Sequence, residues 1–175
     1  MKILKGVGIA LGALIALVLI IAIFLPSHMR IERSTVIARP VETVYPLVAD
    51  LKYWEQWNPW LETDPGATSS VTSPSTGVGA TWSWKGDNVG AGSMTIDALR
   101  QNERVDMTLA FVEPWEDQAK SGLTFASAAE GTTVTWWFEQ DLSWPLSRWF
   151  GLLMDDMLGR DFAHGLEKLK GVAQK

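Results

Sequence analysis

The sequence predicts an α+β protein. It comprises a curved antiparallel sheet of about six or seven strands around one long C-terminal helix, two short helices after the first strand, and one membrane-length helix in front. Three observations predict it. Gly6 to Leu25 is an unbroken apolar run. From Ala80 to Gln140, apolar and polar residues alternate in short stretches divided by turn residues. From Leu146 to Ala173, apolar residues recur at three- and four-residue steps. Alternation marks a half-buried strand, and the three-to-four step marks a helix with one apolar side.

The leading run, GVGIALGALIALVLIIAIFL, holds no charge, amide or hydroxyl. As a helix rising ~1.5 Å per residue it covers roughly 30 Å, the thickness of a bilayer core. A secretory signal peptide is the rival reading. It would have an apolar core of about 7–15 residues and a small-residue cleavage site, whereas this run ends in Phe24-Leu25-Pro26-Ser27-His28. A core helix apolar on every face would need more protein around it than the remaining chain supplies. The expectation is therefore an uncleaved anchor over residues 1–27 carrying a domain over residues 28–175, with the membrane as partner through this helix. Gly8 and Gly12 fit a GxxxG spacing, a weak sign of helix pairing. Lys2 and Lys5 precede the run, and Arg30, Arg33 and Arg39 follow it among Glu32 and Glu42. That near balance leaves the positive-inside rule indecisive; because long domains are exported regardless of charge, the domain is expected on the extracytoplasmic side.

The formal net charge is −5, and two of the 15 basic residues lie ahead of the apolar run, so the domain itself is more acidic still. A surface that tracks phosphates needs the opposite sign, which argues against nucleic acid as a partner. With no cysteine there is no disulfide and no thiolate chemistry. Ten tryptophans are the compositional outlier.

The elements follow in order. Pro26 and Ser27 stop the leading helix. Met29 to Ile37, MRIERSTVI, alternates and is rich in β-branched residues, which predicts a first strand. Pro40 followed by Glu42 signals a helix start, and Val41, Val44, Tyr45, Leu47 and Val48 supply its apolar stripe, with Pro46 expected to kink it. A second short helix is expected over Lys52 to Trp57. Trp54, Trp57 and Trp60 stand three residues apart until Pro59 forces Asn58 out of the helical region. They form either a hydrophobic plug at one end of a sheet or the aromatic wall of a cavity.

Thr63 to Gly79 reads as loop, with a short strand around Thr68 to Thr72 between two turns. Ala80, Trp82 and Trp84 then share one strand face. After a turn at Gly86-Asp87-Asn88, Met94, Ile96 and Ala98 share another. Val105, Met107, Leu109 and Phe111 mark the next strand, and Glu113-Pro114-Trp115 interrupts. Leu123 and Phe125 mark the strand after it. Val134, Trp136 and Phe138 mark the last, which leaves Trp137 facing outward, exposed or covered from outside. Short turns between successive strands imply an antiparallel meander, and twist curls it. Its apolar face needs cover, which the C-terminal helix supplies. Gly151, Gly159 and Gly165 inside that helix imply either close backbone approach or a link between a short leading helix and the main one.

This order resembles the helix-grip fold of the START-like, or SRPBCC, superfamily, which includes Bet v 1 and the polyketide cyclase/dehydrase and lipid transport group. The likeness is carried by Ile31-Glu32-Arg33-Ser34 leading to Pro40-x-x-x-Val44 and by Trp54-x-x-Trp57-Asn58-Pro59-Trp60. Further along it rests on Gly77-x-Gly79-Ala80-x-Trp82-x-Trp84, Gly90-x-Gly92-Ser93-Met94-Thr95-Ile96 and Phe162-x-x-Gly165-Leu166-x-x-Leu169-Lys170. It extends from about Met29 to Val172, and an added N-terminal span is often seen in bacterial members. The resemblance implies a cavity between the concave sheet and the long helix, suited to a hydrophobic small molecule or lipid. Trp54, Trp57, Trp60, Trp82, Trp84, Met94, Met107, Trp136, Phe138, Met154 and Met157 are the candidate lining residues; rings and adaptable thioethers suit an apolar guest.

Motifs for other chemistry are absent from the sequence. There is no HExxH, phosphate loop or GxSxG elbow, and no metal or cofactor is expected. Only His28 and His164 exist, the latter near Asp161 and Lys168 at helical spacing, which reads as a surface ion pair. Adjacent Asp155 and Asp156 diverge by about 100° on a helix and form no carboxylate pair. Two alternatives stay open: a cyclase- or hydratase-type enzyme using one buried carboxyl, with Glu113, Glu116 and Glu139 as nominees, or a tryptophan-filled domain whose Trp115 or Trp137 meets a protein partner.

Overall fold

The computed structural model describes residues 2–175. It begins with α1 (Lys2–Phe24), which stands away from the rest, its apolar side chains from Val7 onward mostly exposed. Among the described residues α1 is the one helix long and apolar enough to cross a membrane. Its C-terminal end is held by the folded domain: the Arg148 guanidinium donates to the carbonyls of Ala22 at 3.1 Å and Ile23 at 3.2 Å. A helix leaves its last carbonyls without partners and carries partial negative charge there, so an arginine is a fitting cap.

After Pro26 the chain enters β1 (His28–Ile37). Pro46 does more than kink the next helix. It divides it into α2 (Val41–Val44) and α3 (Pro46–Ala49), taking the first position of the second piece, where its missing N–H costs nothing. The segment expected as a second short helix is a 3-10 turn over Leu51–Gln56, followed by another over Trp60–Glu62. The meander comprises β2 (Thr68–Val71), β3 (Thr81–Gly86), β4 (Gly90–Arg100), β5 (Arg104–Glu113), β6 (Asp117–Ala128) and β7 (Gly131–Asp141). All neighbours are antiparallel in the order β1-β7-β6-β5-β4-β3-β2, so β1 joins the sheet beside the last strand. The final element, α4 (Leu146–Ala173), is one continuous helix across the concave face.

Two expectations about faces change. A bulge at Asp97 shifts the β4 register between Ile96 and Ala98, and one extra residue reverses the alternation beyond it. Ala98 therefore points out, and half-buried Leu99 takes the inward place opposite Val105. Trp137 lies on the convex face yet is buried. The guanidinium carbons of Arg30 and Arg104 sit 5.4 and 5.1 Å from its ring centroid, and Gly122 beneath it leaves room for the ring.

The α4 glycines mark close approach, and no link divides the helix. A Cβ on Gly165 would lie 2.8 Å from the Trp136 ring and 3.2 Å from Pro59; Gly151 and Gly159 lie likewise against Leu142 and Arg33. The core fills the half of the grip far from α1: Ile37, Val44, Val48, Leu51, Phe125, Val134, Leu166 and Leu169 are all buried there.

Candidate ligand cavity

The other half of the grip is hollow. A cavity of about 430 Å³ lies between the concave face and the middle of α4, within the usual size of small-molecule sites. Its inner wall grows from the Trp54–Trp60 tract. Trp54 donates its indole N–H to the Val48 carbonyl at 2.9 Å, which ties the ring to the end of α3. Trp60 donates to Asp161 Oδ2 at 3.0 Å, which ties the second 3-10 turn to α4. Glu62 in that turn meets His164 Nε2 at 2.9 Å and Lys168 Nζ at 2.5 Å. The hydrogen bond from His164, then that from Lys168, holds the Glu62 carboxyl below its ordinary range. His164 thus forms the expected surface pair, but with Glu62 instead of its neighbours on α4.

The sheet supplies Trp82 and Trp84 from β3, Met94 from β4, Leu109 and Phe111 from β5, Ser121 from β6 and Trp136 and Phe138 from β7. Trp82 and Trp84 face the same way and stack with centroids 5.2 Å apart. A Cβ on Gly92 would lie 2.5 Å from the Trp84 ring, so the glycine opposite makes its place. Trp136 stacks on Phe162 of α4 with centroids 4.2 Å and planes 4° apart, joining sheet to helix. Met154 and Leu158 complete the α4 wall.

Eight of the eleven candidate residues therefore come together at the cavity: Trp54, Trp60, Trp82, Trp84, Met94, Trp136, Phe138 and Met154. Three do not line it. Trp57 is fully buried behind the wall, its ring 4.3 Å from Trp54 and its N–H on the Leu47 carbonyl. The 3-10 turn ends at Gln56, which breaks the three-residue spacing at Trp57. Met107 is fully buried deeper in the core, since the cavity lies toward the Phe111 end of β5. Met157 is 57% exposed; three residues beyond Met154, it sits about 60° further round the helix, away from the sheet.

Sequence reasoning missed Asn58, Ser121, Leu158 and Phe162, all in the wall. Leu158 and Phe162 follow Met154 at four-residue steps, a signal that was present. Asn58 is 1% exposed. Its Oδ1 accepts from the Trp60 backbone N–H at 2.9 Å, which fixes the amide, and its Nδ2 has no partner. The Trp82 N–H is also buried and unpartnered. Ser121 Oγ accepts from the Trp136 indole at 3.2 Å and donates to the Trp137 carbonyl at 2.7 Å, so it is satisfied.

Acidic groups stay at the rim or elsewhere. Glu113 and Asp117 edge the mouth and are exposed, with Lys85 Nζ 3.7 Å from Glu113. Glu116 is exposed beside them, and Glu139 pairs with Arg30 on the convex face. Buried Asp64 lies outside the wall and accepts the backbone N–H groups of Asn88 and Val89. Among the described residues no three metal-type side chains gather.

The fold recurs in solved structures. Protein CV1439 from Chromobacterium violaceum aligns at 18% identity with a TM-score of 0.61, covering 86% of this chain and 99% of that one. DynU16, a protein of the dynemicin biosynthetic locus, aligns at 16% and 0.60, covering 83% of this chain and 47% of that one. Ara h 8.0201 aligns at 11% and 0.59, covering 84% and 98%. At such identities the likeness speaks for the fold alone, the helix-grip of a curved sheet around a long C-terminal helix. No match was found among curated proteins. The family model described as polyketide cyclase/dehydrase and lipid transport matches residues 28–174, so the chain belongs to that family.

Proposed function

We propose that this protein is a membrane-anchored binding module, with residues 1–27 as anchor and residues 28–175 as a domain that holds a hydrophobic small molecule or lipid. The observation that carries the reading is the hollow itself: about 430 Å³, walled by tryptophan, phenylalanine, leucine and methionine with few polar groups. Aromatic and thioether walls gain from covering apolar surface without demanding one shape. The Arg148 cap on α1 supports a retained helix over a cleaved leader. The domain is read on the extracytoplasmic side, since long domains are exported largely regardless of flanking charge.

Native mass spectrometry of the detergent-purified full chain tests the binding. The expected result is a co-purifying apolar molecule, together with quenching of tryptophan fluorescence by brominated fatty acids. Both should be lost in Met94→Trp, which fills the cavity. A chain that carries nothing and shows no quenching overturns the reading. For sidedness, Val78→Cys in intact cells should react with a membrane-impermeant thiol reagent; no reaction places the domain inside.

A further inference from the structure

We infer that the end of the domain from which α1 leaves rests on the bilayer surface, so that the cavity mouth opens onto lipid; this rests on the reading of α1 as a retained span. Topology defines that end. Only Leu25 to Ser27 separate α1 from β1, and His28 pairs with Asp141 at the end of β7. Lys120 pairs with Glu139, and Phe111 with Asp117, so the β5–β6 tip lies at the same end. The rim of the cavity is there too, with Asn88, Glu113, Pro114 and Trp115 all exposed.

Exposed apolar side chains gather at this end. Val112 and Trp115 project from the β5–β6 tip, the latter 70% exposed, and Trp144 follows β7. On α4, Leu146, Phe150, Leu153 and Met157 are exposed at steps of four, three and four residues. They form one stripe roughly 16 Å long, on the side away from the core. Outside α1, Val36 and Val78 lie away from this end among the described residues, and Met157, near the mid-sheet level where Asp155 meets Arg33, is the far end of the stripe.

The position of α1 selects the occupant. Arg148 lies at the level of Leu146 and Phe150 but about 200° round the helix from them, and bonds the last turn of α1. A spanning helix places that turn where hydrocarbon meets headgroups, which sets Leu146 and Phe150 at headgroup level. Tryptophan and phenylalanine suit that layer, and an apolar helix face sinks into it. Acidic Glu113, Glu116 and Asp117 on the tip offer no attraction to anionic headgroups, so the contact is apolar and does not require lipid charge. Met154 and Leu158 adjoin the stripe and face the cavity. An apolar molecule thus passes from the bilayer between Trp115 and Met154 without crossing water.

The chain has no cysteine, so single ones report cleanly. The full chain carrying Leu14→Cys, Phe150→Cys, Leu153→Cys or Val78→Cys is nitroxide-labelled and reconstituted into phosphatidylcholine vesicles. Labels at 150 and 153 are expected to lose access to a water-soluble nickel reagent and gain collisions with oxygen, approaching the label at 14, while 78 stays open to nickel. If 150 and 153 match 78 while 14 is shielded, docking is overturned and the anchor stands. If 14 itself is open to nickel, the anchor reading fails and takes docking with it. Shielding of 150 and 153 in cells but not in vesicles assigns the stripe to a protein partner and overturns the proposal. The exposed pair Phe150→Asp with Leu153→Asp is expected to slow uptake of a pyrene-labelled fatty acid from vesicles while equilibrium binding stays the same; an unchanged rate overturns the loading route.

Discussion

The two halves of α4 carry similar apolar periodicity and have opposite fates. From Gly159 onward, Phe162, Leu166, Leu169 and Ala173 are buried against the sheet. Before it, Leu146, Phe150, Leu153 and Met157 face outward, while Met154 and Leu158 reach the cavity, where they border space. The far half of the grip stabilises the fold, while the near half leaves it incomplete. Interiors pack as densely as crystals when function does not intervene. A hollow and an exposed apolar stripe side by side mark the half on which the proposed binding rests, and the packed half supplies the rigidity that keeps the hollow open.

That contrast can be broken by substitution. Phe162→Ala removes a buried ring stacked on Trp136 and is expected to cost about 3–5 kcal/mol in urea unfolding. Leu153→Ala, nine residues earlier on the exposed side of the same helix, is expected to stay within about 0.5 kcal/mol. Equal losses at the two positions would erase the distinction. Gly165→Val places atoms against Trp136 and Pro59 and is expected to cost about 1–3 kcal/mol. Gly171→Ala meets open space in the same helix and is expected to stabilise by about 0.5–1 kcal/mol. The smallest effect concerns the seam between the halves. Glu62 is held low by His164 and Lys168, so its contribution is present above the ordinary carboxylate value of 4.5 and is lost as pH falls through the lower folded-state value. Unfolding at stepped pH should show that loss in the native chain, weakened by salt, and not in Glu62→Gln.

Period-2 and period-3.6 patterns made the strands and α4 legible, because each reports a face that must be covered. They could not report β1 beside β7, since no local signal links Ile31 to Phe138 across the chain. The Asp97 bulge was hidden for a related reason: alternation gives the face of a residue only until one residue is inserted. At the site, residue type was informative and depth was not. Met107 and Leu109 share a strand face, but only Leu109 reaches the cavity, because which end of the sheet stays open is set by where α2, α3 and the core fill it. Asn58 was legible as the residue before Pro59, but its unpartnered amide nitrogen was not.

The pairing of β1 with β7 also bears on how the molecule is made. His28 and Asp141 lie 113 residues apart in the chain, and their strands complete one edge of the sheet. During synthesis β1 emerges straight after the apolar helix and waits, its hydrogen-bonding groups unmatched, until β7 has been translated. Such distant pairing slows folding, and an open strand edge invites wrong partners in the meantime. An apolar helix inserted in a membrane, as proposed above, would hold nascent copies apart through that interval.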